Sequence, residues 1–189
     1  MADMVTNGQG QILLKLARKV LEQKLNQGTL PDKPDDAVFS AKAATFVTLK
    51  IAGKLRGCIG TLEPVDPLWD SVVQNSINAA FYDHRFLPLT LEELPAVQLD
   101  VSILSQPKPL EYKDAGDLAA KLCPGIDGVI LREGTRSATF LPQVWQQLPS
   151  PEQFLGHLCV KAGLSQDGWR RGRLEIHTYQ VQDFAEERK

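Results

Sequence analysis

One short stretch of this 189-residue chain, Leu55–Thr61, concentrates residue types that can do chemistry. Its sequence LRGCIGT places a cation, a thiol and two glycines close together, at Arg56, Cys58, Gly57 and Gly60. An arginine can hold a carboxylate or phosphate through paired hydrogen bonds, and a thiol beside a cation and glycine amides is suited to act as a nucleophile. Closely spaced glycines indicate a tight turn or another group close to the backbone. The pattern predicts a ligand site contacted by both glycines and Arg56, with Cys58 as the candidate catalytic nucleophile.

A second cation, Arg85, lies in the distinctive segment 83–89, whose sequence is DHRFLPL. We predict that Arg85 joins Arg56 in holding an anionic group. His84 is a candidate base for Cys58, or else a loop histidine without a role. Structural alternatives also stay open for Cys58 and for both arginines. Cys58 could be a small apolar residue on a buried strand face, and either arginine could belong to a structural ion pair.

Composition argues against several other classes of function. The net charge is −2 and the sequence pI is about 5.9, so the basic excess of a dedicated nucleic-acid binder is missing. Residues 57–60 match the bare GxxG of an RNA-binding KH loop, but the match follows a predicted strand. HExxH, paired CxxC, GxGxxG and Walker-type patterns are absent from the sequence, so we expect neither a metal nor a cofactor.

The three cysteines and the N-terminal sequence indicate the compartment. Cys58, Cys123 and Cys159 are scattered and odd in number, which fits free thiols better than a disulfide framework. Cys159 falls on an apolar helix face, so we predict that it lies in the core. The sequence has no run of about 18 apolar residues and no signal-peptide pattern, and we expect a cytoplasmic protein.

Hydrophobic periodicity predicts the elements that position the candidate site. We predict a helix over 9–27, a loop over 30–37, a hairpin over 44–61 with its tip at Ala52-Gly53, a helix capped by Asp66 with Pro67 at its first position, an irregular segment over 83–89 and a strand over 97–103. The glycines of residues 57–60 favour a bulge or a strand end at that point.

The second half of the chain repeats the mixture of helices and hairpins. We predict a helix from Asp114 to about Leu122, a hairpin over 128–141, a helix from Ser150 to Gly163, and a last strand from about Arg173 with a bulge near His177-Thr178. Hairpins require antiparallel pairing, so the predicted class is α+β, with a sheet flanked by helices. The loops at 28–43 and 105–113 are candidate lobe boundaries.

These residues resemble the AMMECR domain family, known in bacteria and archaea as AmmeMemoRadiSam system protein A. The resemblance begins with LRGCIGT at 55–61 and covers nearly the whole chain in order, through DHRFLPL at 83–89, VSIL at 101–104, GIDGVILR at 125–132, LPQV at 141–144 and the segment 154–169. It implies a single domain over 1–189 with two unequal lobes, a smaller one formed by a middle segment, and a cleft between them near Arg56–Gly60. Proline is more usual than histidine at the position of His84, which leaves Arg85 as the stronger candidate.

The resemblance also implies Memo-like and radical-SAM partners, while the family's own function is poorly understood. Any iron–sulfur cluster would belong to such a partner, because this chain lacks a suitable cysteine triad. Three hypotheses follow. The chain binds a small anionic ligand or substrate, with Cys58 as nucleophile or contact; it is a non-catalytic adaptor for its partners; or, least favoured, it is an RNA-binding module.

Overall fold

The structure is a computed structural model of the chain, and it describes residues 5–26, 28–171 and 174–187. The α-helices are α1 Asn7–Asn26, α2 Ala37–Ser40, α3 Leu68–Phe81, α4 Ala115–Lys121 and α5 Pro151–Lys161. The strands are β1 Ala44–Ile51, β2 Lys54–Gly60, β3 Val97–Leu104, β4 Lys108–Pro109, β5 Gly128–Glu133, β6 Arg136–Phe140, β7 Glu175–Tyr179 and β8 Val181–Ala185. Short 3-10 helices cover Leu94–Ala96, Pro142–Gln146 and Gly168–Arg171. Within these residues, no helix is both long and apolar enough to cross a membrane.

Helices and antiparallel sheets make this an α+β fold, which confirms the predicted class. The strands form two four-stranded sheets, ordered β2-β1-β3-β8 and β4-β7-β5-β6. The chain divides into two compact units, the first comprising Met1–Ser105 with Gln182–Lys189 and the second Gln106–Val181. The loop at 28–43 therefore lies inside the first unit.

In the first unit, α1 and α3 cover one face of the sheet. Alternate residues of β1 and β3, including Val47, Leu49, Leu99 and Val101, are fully buried in the core cluster with the apolar faces of these helices. A buried polar contact also ties α3 to β1. The Asn75 side-chain amide donates to the carbonyl and hydroxyl oxygens of Thr45, 3.0 Å and 2.9 Å away.

The predicted hairpin of β1 and β2 is present, and its irregularity falls in the motif. Ala52 and Gly53 form the tip, both with positive φ, at 51° and 76°. Leu49 pairs with Gly57, but Lys50 pairs with Leu55, so Arg56 is an extra residue on β2. This arrangement is a β-bulge, which turns the side chain of the extra residue out of the regular alternation.

In the second unit, α5 packs against β6 of the four-stranded sheet, and α4 packs against α5. Its core contains Leu131, Phe154, Leu158 and Ile176, together with Cys159, which is fully buried as predicted. The helix starts predicted at Asp114 and Ser150 are confirmed, and both residues are caps: the Asp114 carboxylate accepts from an amide of α4, and the Ser150 hydroxyl accepts from an amide of α5. These caps satisfy amides that have no partner inside the helix.

The predicted loop over 30–37 is confirmed as far as Asp36, which caps the short helix α2. Other predictions of local structure were wrong. The N-cap position of α3 is Pro67 rather than Asp66, and no side chain caps that helix. The predicted last strand is two strands, β7 and β8, which belong to different sheets. β7 pairs regularly with β5 through His177 and Thr178, so the predicted bulge is not there. Arg173 lies outside the described residues, as does Gln27.

Candidate functional site

The bulged arginine of β2 is bound by a carboxylate from a distant part of the chain. Arg56 Nε and Nη2 donate to the two carboxylate oxygens of Glu93, at 2.8 Å and 2.9 Å, and Nη2 also reaches the Pro88 carbonyl at 3.4 Å. This bidentate pair raises the pKa of Arg56 and lowers the pKa of Glu93. Only 14% of the Arg56 side chain is exposed. Its Nη1 atom is buried without a partner in the described part of the chain.

The second arginine is held by an even more buried carboxylate. Arg85 Nε and Nη2 donate to the two oxygens of Asp83, at 2.9 Å and 2.6 Å. The hydrogen bonds from Arg85 lower the pKa of Asp83 far below its ordinary value, and the amide of Cys58 lowers it further. The Asp83 side chain is 1% exposed, whereas 48% of the Arg85 side chain is exposed. The pair therefore buries its negative end and presents its positive end to solvent.

This second pair closes the open edge of the first sheet at Cys58. β2 is the terminal strand of that sheet. The Cys58 amide donates to Asp83 Oδ2 at 2.9 Å, and its carbonyl accepts from Arg85 Nη2 at 3.1 Å. A carboxylate and a guanidinium thus take the places that the carbonyl and amide of a neighbouring strand would occupy. Blocking an edge in this way prevents another strand from pairing with it.

Residues 83–93, which we call the strap, are fastened along this edge at several points. The Leu89 amide donates to the Ala80 carbonyl at 2.9 Å, and the Thr90 amide donates to Glu93 Oε2 at 3.0 Å. The ring of Phe86 lies between the two guanidinium groups, with its centroid 5.9 Å from Cζ of Arg56 and 5.5 Å from Cζ of Arg85. An irregular segment is therefore fixed by ion pairs and backbone hydrogen bonds.

The thiol of Cys58 is half-buried and outside the hydrophobic core. Cys58 pairs with Thr48 on β1, and the Thr48 hydroxyl donates to Cys58 Sγ at 3.2 Å. The alternative in which Cys58 is a core residue does not fit this position. Arg85 lies beside this residue, because its Nη2 atom donates to the Cys58 carbonyl.

The two motif glycines are explained by close packing inside the unit. A Cβ atom at Gly57 would lie 2.1 Å from the Ala79 carbonyl oxygen on α3. A Cβ atom at Gly60 would lie 2.3 Å from the ring of Phe46 and 2.4 Å from the Thr45 carbonyl oxygen. Real Cβ atoms do not approach other atoms so closely, so each position excludes a side chain. A direct ligand contact by either glycine stays a prediction.

The structure brings together the two sequence blocks chosen for their chemistry, since Arg85 is hydrogen-bonded to the Cys58 carbonyl and both arginines lie at the ring of Phe86. His84 is exposed and makes no hydrogen bond to Cys58 among the described residues, and no group of potential metal ligands was found among them.

Sequence reasoning missed the partners of both arginines. Asp83 falls in the segment predicted to be irregular, and Glu93 falls in the sequence TLEE at 90–93, a pattern typical of a helix N-terminus. The one available signal was the Asp-x-Arg spacing of Asp83 and Arg85, since the pairing of Arg56 with Glu93 spans 37 positions in the chain.

Comparisons with known proteins agree with this architecture. A solved structure, that of the uncharacterized protein PH0010 from Pyrococcus horikoshii, resembles the chain with a TM-score of 0.83 and 32% sequence identity, over 97% of this chain and 94% of that one. An archaeal protein of Methanothermobacter thermautotrophicus is 37% identical over 97% of each chain, and one of Thermofilum pendens is 37% identical over 94% of this chain and 90% of its own.

A family model, that of AMMECR1, matches residues 14–184. The matched range includes the bulged strand β2, the strap and both carboxylates that bind the arginines. The resemblance first seen in short motifs thus extends through both compact units. The chain belongs to the AMMECR1 family.

Proposed function

We propose that this protein binds a small anionic ligand at the exposed edge of Arg85, beside Cys58. The observation that carries the proposal is the unequal burial of the Arg85–Asp83 pair: 48% of the arginine side chain is exposed, but only 1% of the aspartate. Guanidinium groups offer donors and no acceptor, so the exposed edge suits a carboxylate or a phosphate.

The surrounding contacts support a binding role because they fix the guanidinium in place. Asp83 holds Nε and Nη2, and the Cys58 carbonyl holds Nη2 a second time. The Nη1 atom has no partner among the described residues. An arginine fixed in this way loses little side-chain entropy when an anion binds.

Cys58 is proposed as the second contact of the same ligand. Cys58 is half-buried, and its own carbonyl accepts the hydrogen bond from Arg85 Nη2. A nucleophilic role for the thiol, and a position of this ligand in a cleft, stay predictions.

The three cysteines provide the test. The rate of alkylation by iodoacetamide is measured at each cysteine by mass spectrometry of the folded protein, during titration with inorganic phosphate or succinate at constant ionic strength. We expect either anion to slow alkylation of Cys58 saturably. Cys123 is exposed and serves as the internal control, and Cys159 is fully buried and should react only on unfolding.

Equal rates at Cys58 with and without either anion, across 1–100 mM, would remove the support for this ligand site. An Arg85→Lys variant gives a second check, because lysine keeps the charge but cannot hold two oxygens of Asp83 and present a third donor in one plane. It should weaken the protection of Cys58 while leaving the alkylation of Cys123 unchanged.

We further propose that the protein acts with Memo-like and radical-SAM proteins, as the family resemblance implies. This adaptor role is favoured by large apolar side chains exposed around the strap, such as Leu87. Purified Memo-like and radical-SAM proteins encoded in the same genome should bind the immobilised chain with a Kd in the micromolar range or below. Absence of binding to both would leave only the small-ligand role.

A further inference from the structure

Four large apolar side chains are exposed next to residues of the two arginine ion pairs. They account for half of the eight large apolar side chains that are exposed in the described part of the chain, and they are Leu55, Tyr82, Leu87 and Leu91. Leu55 precedes Arg56, Tyr82 precedes Asp83, Leu87 lies within the strap, and Leu91 lies two positions before Glu93. Scattered apolar residues are common on protein surfaces, but a group around one rigid segment indicates a binding surface.

The backbone that carries these side chains is fixed on both sides. Leu87 is 82% exposed, whereas Leu89 is buried and its amide is bound to the carbonyl of Ala80. Between them, the Pro88 carbonyl accepts from Arg56. Because the segment is already ordered, a partner would not have to supply the cost of ordering it, and tyrosine, leucine and arginine can then act as anchors.

The charge at this surface indicates the chemistry of the partner. The negative end of the Arg85–Asp83 pair is buried, and the exposed guanidinium of Arg85 lies between Tyr82 and Leu87 in the chain. The exposed carboxylate of Glu92 lies at the other end of the segment, next to Leu91. A matching partner therefore supplies an acceptor at the position of Arg85 and apolar side chains next to it.

We infer that the surface formed by Leu55, Tyr82, Arg85, Leu87 and Leu91 docks a peptide segment of another protein, in which an acidic side chain is flanked by large apolar ones. This inference rests on the proposed anion site, since the acidic side chain takes the place of the small anion at Arg85. It identifies the ligand as part of a protein chain and assigns the specificity to the four exposed apolar residues in and beside the strap.

The experiment is a selection of random 12-residue peptides displayed on phage against the immobilised full chain. Selected peptides are then synthesised, and their Kd is measured by fluorescence anisotropy. We expect aspartate or glutamate beside leucine, isoleucine or phenylalanine. Leu87→Ser should weaken binding at least tenfold and should not disturb the fold, because that side chain is 82% exposed. Ile126→Ser, at another exposed apolar residue, is the matched control and should leave the Kd unchanged.

A second pair of measurements separates this inference from the proposed function. Replacing the acidic residue of a selected peptide by its amide should weaken binding to the wild type but not to Arg85→Gln, which has lost the positive charge. If phosphate protects Cys58 but no selected peptide depends on Leu87, the anion site stands and the peptide surface is refuted. If selected peptides depend on Leu87 but carry no acidic residue, and phosphate does not protect Cys58, then both the proposed anion site and the acidic partner are refuted. Selective binding of a 20-nucleotide RNA that is lost in Leu87→Ser would also overturn the inference.

Discussion

Replacing Asp83 by asparagine tests whether the buried carboxylate is the fastening point of the strap. Asp83 accepts four hydrogen bonds, from the amides of Cys58 and Arg85 and from Nε and Nη2 of Arg85. Asparagine keeps the shape of the side chain but has one acceptor oxygen and one NH₂ group, which is itself a donor. It must therefore turn a donor toward two other donors, whichever way it is oriented.

The cost follows from the bonds that each carboxylate oxygen makes. Oδ1 of Asp83 accepts from the Arg85 amide and Nε, and Oδ2 accepts from the Cys58 amide and Nη2 of Arg85. Either orientation loses one bond to an amide, worth about 1 kcal/mol, and one to a guanidinium, worth about 1.5–3 kcal/mol. We expect Asp83→Asn to lower the free energy of unfolding by about 2.5–4 kcal/mol, which for a chain of this size lowers Tm by roughly 5–15 °C.

The assay is urea denaturation of the wild type, Asp83→Asn, Arg85→Gln and the double variant, read by tryptophan fluorescence. Because the two side chains bind each other, the two effects should not add, and the coupling energy should exceed about 1 kcal/mol. The folded-state pKa of Asp83 is depressed, so its contribution is present above the unfolded pKa and is lost as pH falls. The difference between wild type and Asp83→Asn should be constant from pH 5 to 8 and should shrink below about pH 4.

Two results would refute this reasoning. A cost below about 0.5 kcal/mol for Asp83→Asn would mean that the pair behaves like an ordinary exposed ion pair. Additive effects of the two single variants would mean that Arg85 and Asp83 do not stabilise the folded state through each other. In either case the strap would be held by its other contacts alone.

Further variants test the glycine and the other arginine pair. Gly57→Ala should lower the free energy of unfolding in urea by about 1–3 kcal/mol, because its Cβ atom would meet the Ala79 carbonyl. Gly8→Ala on α1 should be neutral or stabilising, because its Cβ atom would make only an ordinary contact with Thr6 Oγ1. Similar values for both variants would contradict the packing explanation. Glu93→Gln should cost about 1.5–3 kcal/mol because it leaves the largely buried Arg56 without its carboxylate, whereas the exposed neighbour Glu92→Gln should stay within about 0.5 kcal/mol in the same measurement. Equal costs for the two glutamate variants would show that the Arg56 pair does not stabilise the fold.

Local patterns in the sequence predicted much of the fold because their causes are local. The alternation of residues 44–51 predicted β1 with its observed bounds, and the positive φ values of Ala52 and Gly53 confirm the predicted hairpin tip. The predicted irregularity near Gly57 is the bulge at Arg56. In each case, steric limits within a few residues decide the conformation.

The candidate site could be predicted only in part because its contacts are distant in sequence. The pairing of Arg56 with Glu93 and the bond from Asp83 to the Cys58 amide depend on how β2 and the strap lie together in the folded unit. The same limit applies to Gly57, whose missing side chain is explained by the Ala79 carbonyl on α3. The residue types suggested an arginine site, but the sequence could not show that each guanidinium already has a carboxylate.

The pre-paired arginine explains why a small anion alone should bind weakly and why the apolar side chains matter. An anion about 4 Å from the Arg85 guanidinium and about 7 Å from Asp83 would gain about 4 kcal/mol from the first and lose about 2.4 kcal/mol to the second, at an effective dielectric constant near 20. A net gain of about 2 kcal/mol corresponds to a Kd of tens of millimolar. Burying one leucine such as Leu87 adds about 1.5–3 kcal/mol, and two such contacts bring a peptide to a Kd between about 1 µM and 0.2 mM. Asp83 thus holds the Arg85 guanidinium in a fixed orientation but cancels much of its attraction for an anion. Most of the binding free energy must therefore come from the apolar side chains around Arg85.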